Sequence, residues 1–186
     1  MMDGTWWQRL WLTRLSRPAA ERIVYRHVAR NRPSRILEIG LGRLTRTERM
    51  LRLALADGKT EPPRYVGFDR FEGRAITDPP GVSLKEAHRR LHALARVQLV
   101  PGNTDTALSR VCNQLGSFDL VLVSADNDAR HLERSWFFLR RLVGTTTAIF
   151  VEEETSGGAT AWTTIPLTRL DELAARTVQP GIRRAG

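Results

Sequence analysis

Arg35-Ile36-Leu37-Glu38-Ile39-Gly40-Leu41-Gly42-Arg43-Leu44-Thr45 is the stretch that decides the fold. It opens as a short apolar strand interrupted by one acid, Glu38, and two glycines follow where the chain must turn. Thr45, with Glu48 three residues on, resembles a capping box, opening a helix through Leu51 and Leu55. The order is strand, glycine turn, helix.

Downstream the same order repeats. Tyr65–Asp69 is a second strand, and Ser83 with Glu86 is a second capping box before a helix carrying Leu84, Ala87, Leu91 and Leu94. Val97–Val100 is a third strand, and Thr104–Leu115 a helix ended by Gly116. Phe118–Val123, apolar but for Asp119, is read as a strand of the kind buried on both faces. A helix around Leu132–Leu142 and a strand at Ala148–Val151 complete the alternation. It predicts a doubly wound, mostly parallel α/β sheet with helices on both sides.

Upstream, Trp7, Trp11 and Leu15 recur every four residues with Leu10 beside them, and this is read as one apolar helical face. Ile23, Val24, His27 and Val28 make a second amphipathic segment that Asn31 and Pro33 end. Beyond Glu154 the pattern weakens to a loop, one further strand at Trp162–Ile165 and a short helix at Leu170–Arg176. The expected organisation is a single domain: a helical segment over 1–33 packed on an α/β core over 34–178, with an abbreviated C-terminal part.

The 186 residues suffice for one well-filled core, and 41% hydrophobic with 26% charged residues is an ordinary globular balance. No apolar run approaches the roughly 20 residues that cross a bilayer. The start, MMDGTWWQRLWL, does not read as a secretory signal, so the cytoplasm is the expected location. Cys112 alone forms neither an internal disulfide nor a thiolate metal site. Charge is less ordinary. Of the 29 basic residues 27 are arginine, and residues 1–52 hold twelve arginines against four acids, +8 of the net +9. Such an end can face nucleic acid, an acidic partner or an anionic surface. Because these arginines interleave with apolar residues at helical spacing, they are read as solvated helix faces. Trp6, Trp7 and Trp11 are assigned to packing or to a homodimer contact through the N-terminal helices.

In an open parallel sheet, ligands bind outside the carboxyl ends of the strands. Those ends carry Glu38 to Gly42, Asp69, Gly102-Asn103-Thr104, Ser124 to Asp128, and Glu152-Glu153-Glu154. A dinucleotide loop needs a third glycine after Gly40 and Gly42, and it suits no acid beside a pyrophosphate. Glu38 suits a cationic amino group, and Asp69 can accept hydrogen bonds from a ribose diol. The balance favours a nucleoside that bears an amino acid.

Here the sequence resembles the class I S-adenosylmethionine-dependent methyltransferases. RILEIGLGRLTRTERML looks like their first motif, and YVGFDRFEG like the second strand with its ribose-binding acid. GFDRFEG is nearer still to the macrocin/cephalosporin-type small-molecule O-methyltransferases, as are VQLVPGNTDTAL and FDLVLVSADNDARHLERSWFFLRRL. The resemblance covers roughly residues 34–154 and implies a Rossmann-like methyltransferase fold. It also implies that Glu38, Gly40 and Gly42 line the methionine half of the cofactor, that Asp69 holds its ribose, and that Asn103 and Thr104 meet the adenine. In that subgroup acids at the ends of the fourth and fifth strands bind a metal. Asp126 matches the first position and Glu152 with Glu153 a pair that is usually aspartate, a set that suits Mg²⁺. His131 is the candidate base beside Asp126. Leu44 stands where the family prefers a small residue.

The expected function is transfer of a methyl group from S-adenosyl-L-methionine to an oxygen of a small polar acceptor, with Mg²⁺ as an optional further cofactor. Two alternatives stand beside it: an RNA methyltransferase, suggested by the basic N-terminal part, and a catalytically silent methyltransferase fold used as a binding subunit.

Overall fold

The computed structural model describes residues 4–55, 61–125, 129–155 and 158–178. Two helices lead, α1 (Gly4–Arg14) and α2 (Arg22–Asn31), joined through a short 3-10 turn at Ala19–Glu21. The alternating core follows as β1 (Arg35–Ile39), α3 (Thr45–Leu55), β2 (Arg64–Asp69), α4 (Leu84–Leu91), β3 (Arg96–Pro101), α5 (Thr104–Leu115), β4 (Phe118–Val123), α6 (Ala129–Arg140) and β5 (Val143–Glu154). Strand β6 (Thr160–Thr164) and helix α7 (Leu167–Val178) end the described chain.

The sheet order is β3-β2-β1-β4-β5-β6, with the first five strands parallel and β6 antiparallel to β5. This is the doubly wound, mostly parallel α/β architecture expected from the alternation. Strand order reverses between β1 and β4, so the crevice for a ligand opens at the carboxyl ends of those two strands. Among the described residues the C-terminal part supplies one antiparallel strand and one helix, and β5 starts five residues before the expected strand at Ala148.

Residues alternate between the faces of a strand, and the core divides accordingly. Ile36, Tyr65, Leu120, Leu122, Phe150 and Trp162 pack on one face with helices α2, α3 and α4. Leu37, Ile39, Phe68, Val121, Val123 and Val151 pack on the other with α5, α6 and α7. Both faces are covered, which is why β4 is apolar without a break from Leu120 to Val123; Asp119, near its start, is exposed and corrects the reading of the whole strand as buried on both faces.

Local chemistry departs from expectation in two places. Ser83 caps α4 as expected, its side chain accepting from the Glu86 amide at 3.1 Å. Glu48, by contrast, turns its carboxylate to Arg90 of α4, with contacts of 2.8 and 3.0 Å. The tryptophan stripe of α1 faces outward: Trp7 and Leu15 are 60% and 63% exposed, whereas Leu12 is buried. The period was that of a helix, but the stripe is not the face that packs. No helix of the described residues is long and apolar enough to cross a membrane.

Candidate functional site

The glycine turn after β1 is held from beneath by the acid that ends β2. Gly40 and Gly42 take left-handed φ values of 80° and 55°, and Leu44 keeps the same handedness at 67°. Those turns bring the Leu41 and Gly42 amides over Asp69, whose Oδ2 accepts from them at 2.8 and 3.4 Å. The Leu44 side chain is fully buried in the core beside Leu41 and Met50, so its bulk goes into packing.

Asp69 is itself buried and heavily bonded. Its Oδ1 accepts from the Phe71 amide and from Arg74 Nε, both at 2.9 Å, and its Oδ2 accepts from Arg74 Nη2 at 2.6 Å. Burial alone would push this carboxyl up. The Arg74 guanidinium and the Phe71 and Leu41 amides outweigh that and hold it below the usual aspartate range.

Glu38 lies on the same face of the sheet, one strand away, and is fully enclosed. Arg46, from the first turn of α3, donates to its Oε1 through Nε and Nη2 at 2.9 and 2.8 Å. Thr47 Oγ1 and the Tyr65 hydroxyl donate to Oε2 at 2.8 and 2.7 Å. Every lone-pair direction of the carboxylate is thereby taken. Burial works against the charge on Arg46, but Glu38 and Glu152 overcome it and hold the guanidinium charged. Burial, with Glu38 beside it, pushes the Tyr65 hydroxyl well above its ordinary value.

At the far strands, Glu152 shares the face of Glu38 and Trp162. Its Oε2 accepts from Ser124 Oγ at 2.7 Å and from the Ala125 amide at 3.2 Å, and Arg46 Nη1 stands 3.7 Å away. Glu153 is exposed and, as the next residue of the same ladder, points to the opposite face. The two glutamates therefore do not converge. Asp126 lies outside the described residues. Among the described residues, which do not include Asp126, no three His, Cys, Asp or Glu side chains form a metal-binding group.

Asn103 is the exposed N-cap of α5, and its side chain makes no capping bond. Thr104, next to it, is buried. His131, on the first turn of α6, pairs with a residue that sequence reasoning missed: its Nδ1 lies 3.0 Å from Asp105 Oδ1. Burial would raise Asp105, yet the His131 contact and the Thr106 amide bring it below the usual range. An Asp in the first turn of one helix and a His in the first turn of the next carry no sequence signal of pairing. The sheet order brings them together.

The site thus contains a glycine turn stapled to an aspartate, two acids each clasped by an arginine, and an Asp–His pair at the same end of the sheet. No family model matches the chain, and no curated protein does. Solved structures do. One is an O-methyltransferase from Bacillus cereus in complex with S-adenosylhomocysteine, with a TM-score of 0.58, 19% identity, and coverage of 97% of this chain and 81% of that one. Another is the O-methyltransferase TomG from Streptomyces achromogenes, involved in tomaymycin synthesis and solved with S-adenosylmethionine: 0.57, 18%, 86% and 69%. A third is a putative O-methyltransferase from Klebsiella pneumoniae: 0.54, 16%, 97% and 80%. The chain shares the Rossmann-like fold of these methyltransferases.

Proposed function

We propose that this chain is an S-adenosylmethionine-dependent O-methyltransferase for a small polar acceptor. The observation that carries the reading is the Gly40–Gly42 turn stapled to Asp69 at the switch point of the sheet. A turn with left-handed glycines brings backbone close to a ligand, and the acid beneath it is of the type that accepts from a ribose diol. The fold held in common with O-methyltransferases crystallised with S-adenosylmethionine or its product supports the same cofactor class. Gly40, Gly42 and Asp69 would line the cofactor, with Asn103 and Thr104 on the adenine side. Glu38 would act on it through Arg46.

The cofactor supplies an electrophilic methyl group when bound. The chain's own contribution is to position an acceptor oxygen and take its proton. His131 is the base in this reading. Asp105 binds Nδ1 and fixes the ring, leaving Nε2 to accept the acceptor's hydroxyl proton. No step is assigned to Mg²⁺, because Glu152 and Glu153 face apart.

One observation favours a second reading, a non-catalytic binding subunit: the carboxylates of Glu38 and Asp69 already have a full set of internal donors. Calorimetric titration with S-adenosylhomocysteine separates the two. Saturable binding that Asp69→Asn abolishes is expected, together with methyl transfer to a hydroxylated acceptor that His131→Ala slows. A folded protein that takes up no ligand at about 1 mM, both as wild type and with Arg74 replaced by alanine, would overturn the reading.

A further inference from the structure

Arg74 follows Asp69 by five residues, and its guanidinium covers the carboxylate that a ribose would need. We propose that Arg74 is a latch on Asp69 which sets the affinity of this chain for its cofactor, an inference that rests on the cofactor reading above. The ion pair is bidentate, 2.6 Å through Nη2 and 2.9 Å through Nε, and both side chains are largely buried. Asp69 accepts from five donors in all: the Leu41, Gly42 and Phe71 amides and two nitrogens of Arg74. A carboxylate offers about four lone-pair sites. A diol can therefore bond to Asp69 only after Arg74 has left it.

Three features keep the latch shut. Nη1 of Arg74 donates to the Pro79 carbonyl at 2.7 Å, drawing the loop after β2 over the pair. Arg70 holds that loop from outside by an ion pair to Asp78 at 3.0 Å. Gly81 lies directly against the Arg74 side chain, where an added Cβ would stand 2.5 Å from Nε and 2.9 Å from Cδ and Cζ. The absence of a side chain at 81 is what lets Arg74 reach Asp69 along this path. A cavity of about 400 Å³, lined by Phe71, Arg74, Ile76, Pro80 and Val82, leaves the guanidinium room to swing aside. Binding then needs a minor, unlatched form, and the apparent dissociation constant rises by the inverse of that form's population.

The test is calorimetric titration of the full chain, wild type, Arg74→Ala and Gly81→Ala, with S-adenosylhomocysteine and separately with adenosine. Both variants are expected to bind both ligands at least about tenfold more tightly than the wild type. Gly81→Ala leaves Asp69 a cation nearby, so it carries the test if Arg74→Ala does not fold. The double variant is expected to bind no more tightly than Arg74→Ala, since Gly81 acts only through Arg74. Wild-type binding that stays equal or weakens in both variants would overturn the latch and leave the cofactor reading intact. Absence of binding in every folded variant would overturn both.

Discussion

The Arg46 guanidinium carbon lies 4.7 Å from the centre of the Trp162 ring while its Nη2 stands 2.8 Å from Glu38 Oε1. One side chain thus ties α3 to β1 and to the last strand of the sheet. Both partners of the ion pair are out of water, 10% and 0% exposed. Removing the cation strands a buried carboxylate, whereas removing both charges together does not. Arg46→Met is expected to cost about 3–5 kcal/mol in urea unfolding, and Arg46→Met with Glu38→Gln to recover more than half of that. A single variant within about 1 kcal/mol of wild type would mean the pair is replaceable by solvent.

Leu44 sets two effects against each other. Its left-handed φ of 67° is unfavourable for a residue with a Cβ, by about 1–2 kcal/mol. Its side chain is fully buried, and truncating such a leucine costs about 2–5 kcal/mol. Burial wins, so Leu44→Ala and Leu44→Gly are both expected to be less stable than wild type. Leu44→Gly releases the backbone strain that Leu44→Ala retains. It is expected to melt higher than Leu44→Ala, by the equivalent of about 1 kcal/mol. The reverse order would show that the turn relaxes when the side chain is lost.

Acid should undo the site before it undoes the core. Partial loss of water raises the carboxyls of buried Asp69, half-buried Asp105 and the largely exposed Asp119, but hydrogen bonds outweigh it and leave each below the ordinary value of 3.8. The donors at Asp119 are the Ser34 hydroxyl and the Ser34 and Arg35 amides, at the opposite end of the sheet. A carboxyl with a lowered folded value adds stability that is complete above its unfolded value and disappears as pH falls through the folded one. Glu21 runs the other way: burial raises it, so its charged form costs stability above the ordinary glutamate range. Asp69→Asn is expected to be about 3 kcal/mol less stable than wild type at pH 7, with the gap narrowing as pH falls below 3.8. Thermal melts between pH 7 and pH 3 read it. A gap constant with pH would show that Arg74 does not depend on the charge of Asp69.

The strands and the switch point were legible because β1 to β4 are short and mostly apolar, with a glycine or a polar residue at or just past each carboxyl end. The arginine clasps were not. In a chain with 27 arginines one more at Asp69+5 or Glu38+8 is no signal, and its partner is fixed only by the shape of the turn between. The Asp105–His131 pair was hidden for a related reason: its members are neighbours through sheet order, not through sequence. On α1 the four-residue recurrence of Trp7, Trp11 and Leu15 gave the helix but not its inner face, because it is Leu12, off that stripe, whose side chain is buried in the core. Leu12→Ala is therefore expected to cost about 2–5 kcal/mol and Trp7→Ser no more than about 0.5 kcal/mol. Equal losses in denaturant unfolding would mean the stripe is covered in solution.

The Asp105–His131 pair makes a prediction that needs no acceptor, followed by one that does. The His131 contact is the largest influence lowering the Asp105 carboxyl, against a burial that raises it. His131→Ala is thus expected to move the Asp105 titration upward when followed by carbon NMR. An unchanged midpoint would mean that the Thr106 amide alone sets it. On an active acceptor, loss of a general base is expected to lower kcat by about 10²–10⁴-fold with little change in KM. Asp105→Asn keeps the imidazole but removes the charge that orients it, so its kcat should fall less than that of His131→Ala and show an altered pH profile. Homocysteine-coupled product release measures both. A rise in KM with kcat preserved would assign His131 to acceptor binding and leave the proton to another group.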